Sequence, residues 1–229
     1  MRRVLIIGFF GLLGFAAIQL FSAEAVRPGI EERFSAEAGA TAAGETGKYA
    51  FDRAHSAIGF RVKHMGLVDV PGYFRDFTGE VSYNAEDVTK SSVSFTAKMT
   101  SVDTGVEARD NHLRTKDFFE VETYPEMTFK STKVEKSGDS LMVTGSLTMK
   151  DVTKTITFPV KVTGFLPGNQ RNGPRMGAVA ETTINRRDFN VNYGGNLPGT
   201  NTPTLSDDIK VWLQIEAIKP LEAKPAAAQ

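Results

Sequence analysis

The chain contains no cysteine. Disulfides, thiolate zinc sites, iron–sulfur clusters and a cysteine nucleophile are excluded with it. There is no charge of one sign to spare: 27 basic residues stand against 27 acidic ones. The basic surplus with which a nucleic-acid binder neutralises phosphates is missing, so no nucleic-acid partner is expected. Histidine is scarce. His55, His64 and His112 are the only three, and none stands at metal-ligand spacing from another. A G-x-S-x-G elbow, a phosphate loop and a dinucleotide fingerprint are all lacking. The carboxylates are scattered over polar faces and supply no positioned acid or base. The expectation is therefore no enzyme, no metal and no cofactor.

What is present begins at the N-terminus. Arg2 and Arg3 precede an apolar run, Val4 to Phe21, interrupted in polarity only by Gln19, and small residues follow at Ala23 and Ala25. A basic start, an apolar stretch and a small-residue cleavage site describe a secretory signal over residues 1–25. The run is also close to the shortest membrane span, so a retained anchor, with membrane association through the N-terminus, is the competing reading. The Arg pair raises twin-arginine export, but Val4-Leu5-Ile6 supports it weakly. Both readings put the remainder outside the cytoplasm, in a periplasm-type compartment. Residues 26–47 are rich in Ala, Glu and Gly and bury little, as a linker does. Residues 221–229 read as a disordered tail, leaving 48–220 as the folded domain.

Within 48–220 the dominant signal is alternation with a period of two. Ile58, Phe60, Val62 and His64 share one parity, opposite Arg61 and Lys63. The same pattern recurs over Val93–Met99, Leu141–Met149, Ile156–Val162 and Ile209–Ile215, and more briefly over Phe77–Tyr83, Met127–Val134 and Met176–Ile184. That makes eight candidate strands. One apolar and one polar face per strand describe an antiparallel sheet wet on one side. Short polar turns such as Lys136-Ser137-Gly138-Asp139 and Lys150-Asp151 read as hairpins. A meander of this size closes or leaves two adhesive edges. The fold class expected is all-β, an eight-stranded antiparallel up-and-down barrel, whose interior is packed solid or holds one small ligand. Val106–Phe119 breaks the pattern. It reads as a short helix capped by Asp103 or Thr104, with Val106, Leu113 and Phe118 or Phe119 as its apolar stripe. So short a helix must pack on something, and the open end of the barrel is the natural place.

Several motifs resemble the YceI-like family. Arg109-Asp110-Asn111-His112-Leu113 through Asp117-Phe118-Phe119, then Tyr124-Pro125 and Phe129, resembles its central signature R-x-x-H-L-x-x-x-D-F-F with Y-P-x-x-x-F. His55–His64, Phe74–Gly79, Leu147–Lys154 and Ile184–Phe189 resemble further marks in the same order, so the resemblance spans about residues 48–219. The late motif departs in one place: Asn190 stands where the family usually has Gly. Asn tolerates a left-handed backbone better than most residues, so only loop geometry is in question.

The resemblance implies a lipocalin-like, usually exported barrel that binds a long amphiphile of polyisoprenoid, quinone or fatty-amide type. Physically, a strand of ten residues spans roughly 33 Å, and each buried methylene contributes about 0.8 kcal/mol, so a narrow apolar barrel suits a linear hydrocarbon. Inward parity nominates Phe60, Val62, Val93, Phe95, Phe129, Leu147, Phe158, Val160, Val211 and Leu213 as lining. By parity alone a solid core is the favoured reading, since small barrels are often packed by side chains; the resemblance favours a cavity. His64 lies on the same parity, as a core histidine or a mouth group. Arg109, His112 and Arg114 lie on the helix, where they either meet a phosphate or quinone head group or form a solvated face. Asn185, Arg186 and Asp188 read as braces of a turn. The alternatives to a lipid carrier are a structural or interaction barrel without ligand, a haem carrier using His64 or His112, and a lipid-modifying enzyme. A homodimer is compatible with the sequence but not legible in it.

Overall fold

The computed structural model describes residues 44–169 and 171–221; the leader, most of the linker and all of the tail but Leu221 lie outside them. Eleven antiparallel strands form one sheet: β1 Gly47–Phe51, β2 Ala57–His64, β3 Val68–Phe74, β4 Phe77–Tyr83, β5 Ser92–Lys98, β6 Val102–Asp103, β7 Glu126–Ser137, β8 Ser140–Met149, β9 Val152–Leu166, β10 Arg175–Asn185 and β11 Leu205–Ile218. A single α-helix among the described residues, α1, spans Glu107–Arg114.

Three of the barrel's staves are each broken once. Asp52–Ser56 separates β1 from β2, Arg75-Asp76 separates β3 from β4, and Met99–Ser101 separates β5 from β6. The breaks are fastened to one another: Arg53 donates to Asp76 at 2.8 Å, and the Asp76 carbonyl accepts from the Lys98 amide at 2.8 Å. Counted as continuous staves, the eleven strands are eight. β11 closes the ring, pairing with β10 along its length, with β2 over its first part and with β1 at Ala217 and Ile218. Closure removes the edges that an open meander would expose. The fold is a closed eight-stranded antiparallel barrel with one short helix, of lipocalin-like type.

All eight strands expected from alternation are present; β1, β3 and β6 are additional. β3 contains Pro71 and Gly72, which read as breakers. Its register explains why they are tolerated: only Tyr73 and Phe74 pair with β6, so Pro71 needs no ladder donor on that side. The hairpin signals hold. Gly138-Asp139 joins β7 to β8, with Gly138 at φ 57°, and Lys150-Asp151 joins β8 to β9, with Lys150 at φ 55°.

Side chains follow the pleat. On β8, Val143, Leu147 and Met149 are buried, on the parity the sequence assigned inward. One end of the barrel is plugged by rings. Tyr49 is fully buried, lies edge-on to Tyr83 at 6.5 Å and to Phe165 at 6.4 Å, and donates its hydroxyl to the Glu45 carbonyl at 2.8 Å. Burial pushes the Tyr49 phenol pKa up.

Candidate functional site: an apolar lumen with a polar mouth

The interior is hollow. A cavity of about 760 Å³ occupies the end of the barrel opposite the Tyr49 plug, and a smaller void of about 80 Å³ lies beyond it, towards that plug. The larger volume falls within the usual range for small-molecule sites, about 300–1,000 Å³. Gly194 and Gly195, both exposed, line the large cavity, so it reaches the surface there.

Every apolar residue nominated by parity lines one of the two spaces. Phe60, Val62, Leu147 and Val211 line the large cavity, Val93 and Val160 the small void, and Phe95, Phe129, Phe158 and Leu213 both. Room for the rings is made by glycine. Phe60 faces Gly72 across β2 and β3, and a Cβ at Gly72 would stand 2.3 Å from the Phe60 Cζ atom. The Phe129 ring likewise lies back over Gly145, where a Cβ would meet Cζ at 2.4 Å. The Phe60 ring thus lies against the wall and leaves the large cavity open beside it, while Phe129 is seated at the cavity's inner end.

The helix covers the open end, as its length demanded. Arg109, His112 and Leu113 of α1 line the cavity together with Phe118 and Phe119 behind it. The cap differs from the expectation. Val106 occupies the N-cap position without a side-chain cap, and Val106 is exposed rather than part of the apolar stripe. Thr104 does not cap the helix; it bonds to a side chain within it. Its amide and hydroxyl both donate to the buried carboxylate of Asp110, at 2.9 Å and 2.5 Å. Asp103 instead accepts from the Gly105 amide at 2.9 Å and pairs with Arg75. The Arg75 bond, together with that amide, holds the Asp103 carboxyl below its ordinary range.

The polar candidates separate. His64 lines the cavity near its mouth. Arg109 donates Nε to the Thr104 hydroxyl at 2.7 Å and one terminal nitrogen to the Thr104 carbonyl at 2.8 Å, so its guanidinium is anchored at the mouth. The His112 ring packs edge-on against Phe118 at 5.1 Å and Tyr193 at 4.9 Å, and its Nε2 faces Asp117 at 2.9 Å. Arg114 is not at the cavity. It donates to the Thr100 and Val102 carbonyls and to Asn111, which ties α1 to the strand beneath it.

Arg186 and Asn185 brace the turn after β10. The Arg186 guanidinium is buried and donates to the Ser206, Val191 and Tyr193 carbonyls and to Asp207, all within 3.0 Å. Burial pulls its pKa down, against the raising effect of Asp207. Asn185 accepts from the Arg187 amide at 3.0 Å. Asn190 takes the left-handed conformation, φ 57° and ψ 26°, and its side chain donates to Asp151 at 3.1 Å. The turn keeps the shape a glycine would have adopted.

Sequence reasoning missed the loop 191–204, whose Val191, Tyr193 and Thr204 form one side of the mouth with Leu205 at the start of β11. It carries no periodic signal by which it could have been found. Met127, Ile184 and Ile209 also line the cavity, on parities already marked as inward. Away from the lumen, the fold gathers Asp52, His55 and Glu216 into a cluster no spacing suggested. Arg175 already donates to both of its carboxylates.

Barrel and lumen together define a hollow lipocalin-like protein with an apolar interior and a helix across its mouth. The chain belongs to the YceI-like family: the YceI-like domain matches residues 49–217. Protein YceI of Escherichia coli O17:K52:H18 is 34% identical over 165 residues, covering 72% of this chain and 82% of that protein. The crystal structure of Burkholderia cenocepacia BcnA superposes with a TM-score of 0.63 at 28% identity, covering 73% of this chain and 99% of that one. A polyisoprenoid binding domain from Saccharophagus degradans shares the fold, with a TM-score of 0.54 at 16% identity over 77% of this chain and all of that one (100%).

Proposed function

We propose that this protein binds a long amphiphilic lipid inside the barrel, with polyisoprenoid, isoprenoid quinone and fatty amide as the ligand classes, and that it carries or sequesters this lipid without chemically altering it. The observation that carries this reading is the open cavity of about 760 Å³. Its lining is almost wholly hydrocarbon: Phe60, Phe95, Phe129, Leu147, Val211 and Leu213 offer dispersion and burial but no acid, base or nucleophile. The polar groups gather at one end, where Arg109 and His64 suit a head group while the tail runs inward. The family supports the same reading through the polyisoprenoid-binding domain that shares the fold.

The compartment proposed is the periplasm, reached by export through the leader read over residues 1–25. The basic pair, apolar run and small residues of that leader are the support. Cell fractionation with mass measurement of the mature N-terminus tests it; full-length protein in the cytoplasmic fraction would refute export.

Native mass spectrometry of protein purified from its own compartment tests the ligand. An intact lipid mass that survives isolation and disappears on delipidation is the expected result. Turnover of that lipid by the purified protein would make the barrel an enzyme. A lumen that takes up neither lipid nor a hydrophobic dye would make it an interaction module. A Soret band on haem titration would point to haem instead.

A further inference from the structure

The lumen is divided. Among the described residues, four line both the large cavity and the small void: Phe95, Phe129, Phe158 and Leu213. They come from β5, β7, β9 and β11, spread round the ring. Phe95 stands directly across from Phe129 in the β5–β7 register, with the rings stacked at 5.7 Å and 22°. Phe158 continues the chain of rings, 5.4 Å from Phe129. Below this collar the void is lined mainly by aliphatic groups, among them Val93, Val160 and Ala180, with Ser91 and Ser92 at its side. Its far side ends on Tyr83, which belongs to the ring cluster closing the barrel. So apolar a void favours hydrocarbon over water, which needs two or more polar partners. A hydrocarbon is the occupant that fits.

We propose that the collar of Phe95, Phe129, Phe158 and Leu213 gauges ligand length: the upper cavity takes the chain up to the collar, and carbons beyond that length enter the lower void only where the rings yield. This rests on the lipid-binding reading and adds a specificity element to it. Affinity then rises with each carbon that enters the upper cavity and levels off where the chain meets the rings. Carbons past that point are bound weakly or left outside the mouth. The collar is the natural gauge because the wall beside it is fixed. Phe129 lies back over Gly145 and has no further room to recline on that side.

The test is calorimetric titration of delipidated protein with geraniol, farnesol, geranylgeraniol and solanesol delivered from cyclodextrin. Wild type, Phe129→Leu and Phe95→Leu are compared, with circular dichroism and thermal melts establishing that each is folded. For wild type, affinity climbs along the series and then reaches a plateau. In either variant the plateau moves to the next longer prenol, which gains about tenfold over wild type, the equivalent of about two further buried methylenes. Prenols shorter than the wild-type plateau change little. If both folded variants keep the wild-type plateau, the collar is not a gauge, and lipid binding stands without it. If wild type binds no prenol of any length, both the gauge and the isoprenoid reading fail.

Discussion

Thr104 and Asp110 form a closed polar contact beneath the helix at the barrel mouth: the threonine amide and hydroxyl both donate to one carboxylate oxygen, at 2.9 Å and 2.5 Å. The same hydroxyl accepts from Arg109 Nε at 2.7 Å. A single side chain therefore couples a buried acid to the guanidinium that faces the cavity. The contact fixes where α1 begins, since the helix has no side-chain cap of its own. It also fixes where Arg109 points.

Thr104→Val is expected to lower stability by about 1–3 kcal/mol, because the buried carboxylate loses a donor and Arg109 an acceptor. The consequence for binding is sharper. Arg109 loses its Nε acceptor and keeps only its bond to the Thr104 carbonyl, so its guanidinium is held less firmly, and a ligand with an anionic head group loses affinity while a neutral prenol does not. Urea unfolding and paired titrations with prenol and prenyl phosphate check this. Equal loss for both ligands would show that Arg109 does not meet the head group.

Gly72→Ala is expected to cost about 1–3 kcal/mol as an overpacking substitution. The added methyl would stand 2.3 Å from the Phe60 Cζ atom, so the ring must swing into the lumen. Uptake of a hydrophobic dye falls with the lost volume. Combining it with Phe60→Leu restores both stability and uptake. Failure of that rescue would show that the methyl is felt elsewhere.

Arg186→Ala is expected to destabilise by about 1–3 kcal/mol, the range for buried acceptors left without a donor, since Asp207 is itself half-exposed. Three carbonyls and Asp207 lose their donor at once. Two of those carbonyls, of Val191 and Tyr193, belong to the loop beside the mouth. Limited proteolysis should therefore cut near residues 191–204 before the strands are attacked. Cleavage that starts elsewhere would place the role of Arg186 outside that loop.

His55 and Asp52 supply a pH signature. Their hydrogen bond, at 2.8 Å, holds the Asp52 carboxyl below its ordinary range and lifts the His55 imidazole above its own. Arg175 adds to the lowering of Asp52. The aspartate's contribution is present above its unfolded pKa, about 3.9, and is lost as pH falls through the lower folded value. The histidine's is complete below its unfolded pKa, about 6.5, and is lost as pH rises through the higher folded value. The pair therefore stabilises most between about pH 4 and 6.5. In urea melts, the gap between wild type and His55→Gln should be widest near pH 5.5 and shrink by pH 8.5. A gap of constant size would assign it to packing alone.

How much of this was legible beforehand depends on what kind of signal each residue carried. Phe60, Phe129 and Leu213 read as inward because a pleated strand alternates its side chains, and a closed barrel has only one inside. β3 was not legible, because Pro71 reads as a breaker until its register shows that nothing pairs with its nitrogen side. Arg114 shared a helix and a charge with Arg109, yet the turn of the helix sends it to the Thr100 and Val102 carbonyls and away from the lumen. The loop around Tyr193 has no periodicity, and its place at the mouth is set by Arg186 from a distance in space.

The sequence by itself determined that the chain forms amphipathic antiparallel strands with a short helix between them, because alternation and helical spacing are local properties readable residue by residue. Only the tertiary structure decided that the interior is hollow, where it narrows and which polar groups reach it. Volume is a property of facing walls. A ring such as Phe60 fills the axis or lies flat according to whether the neighbouring strand offers a glycine opposite it, and that depends on registers between strands that the order of residues along one strand does not contain.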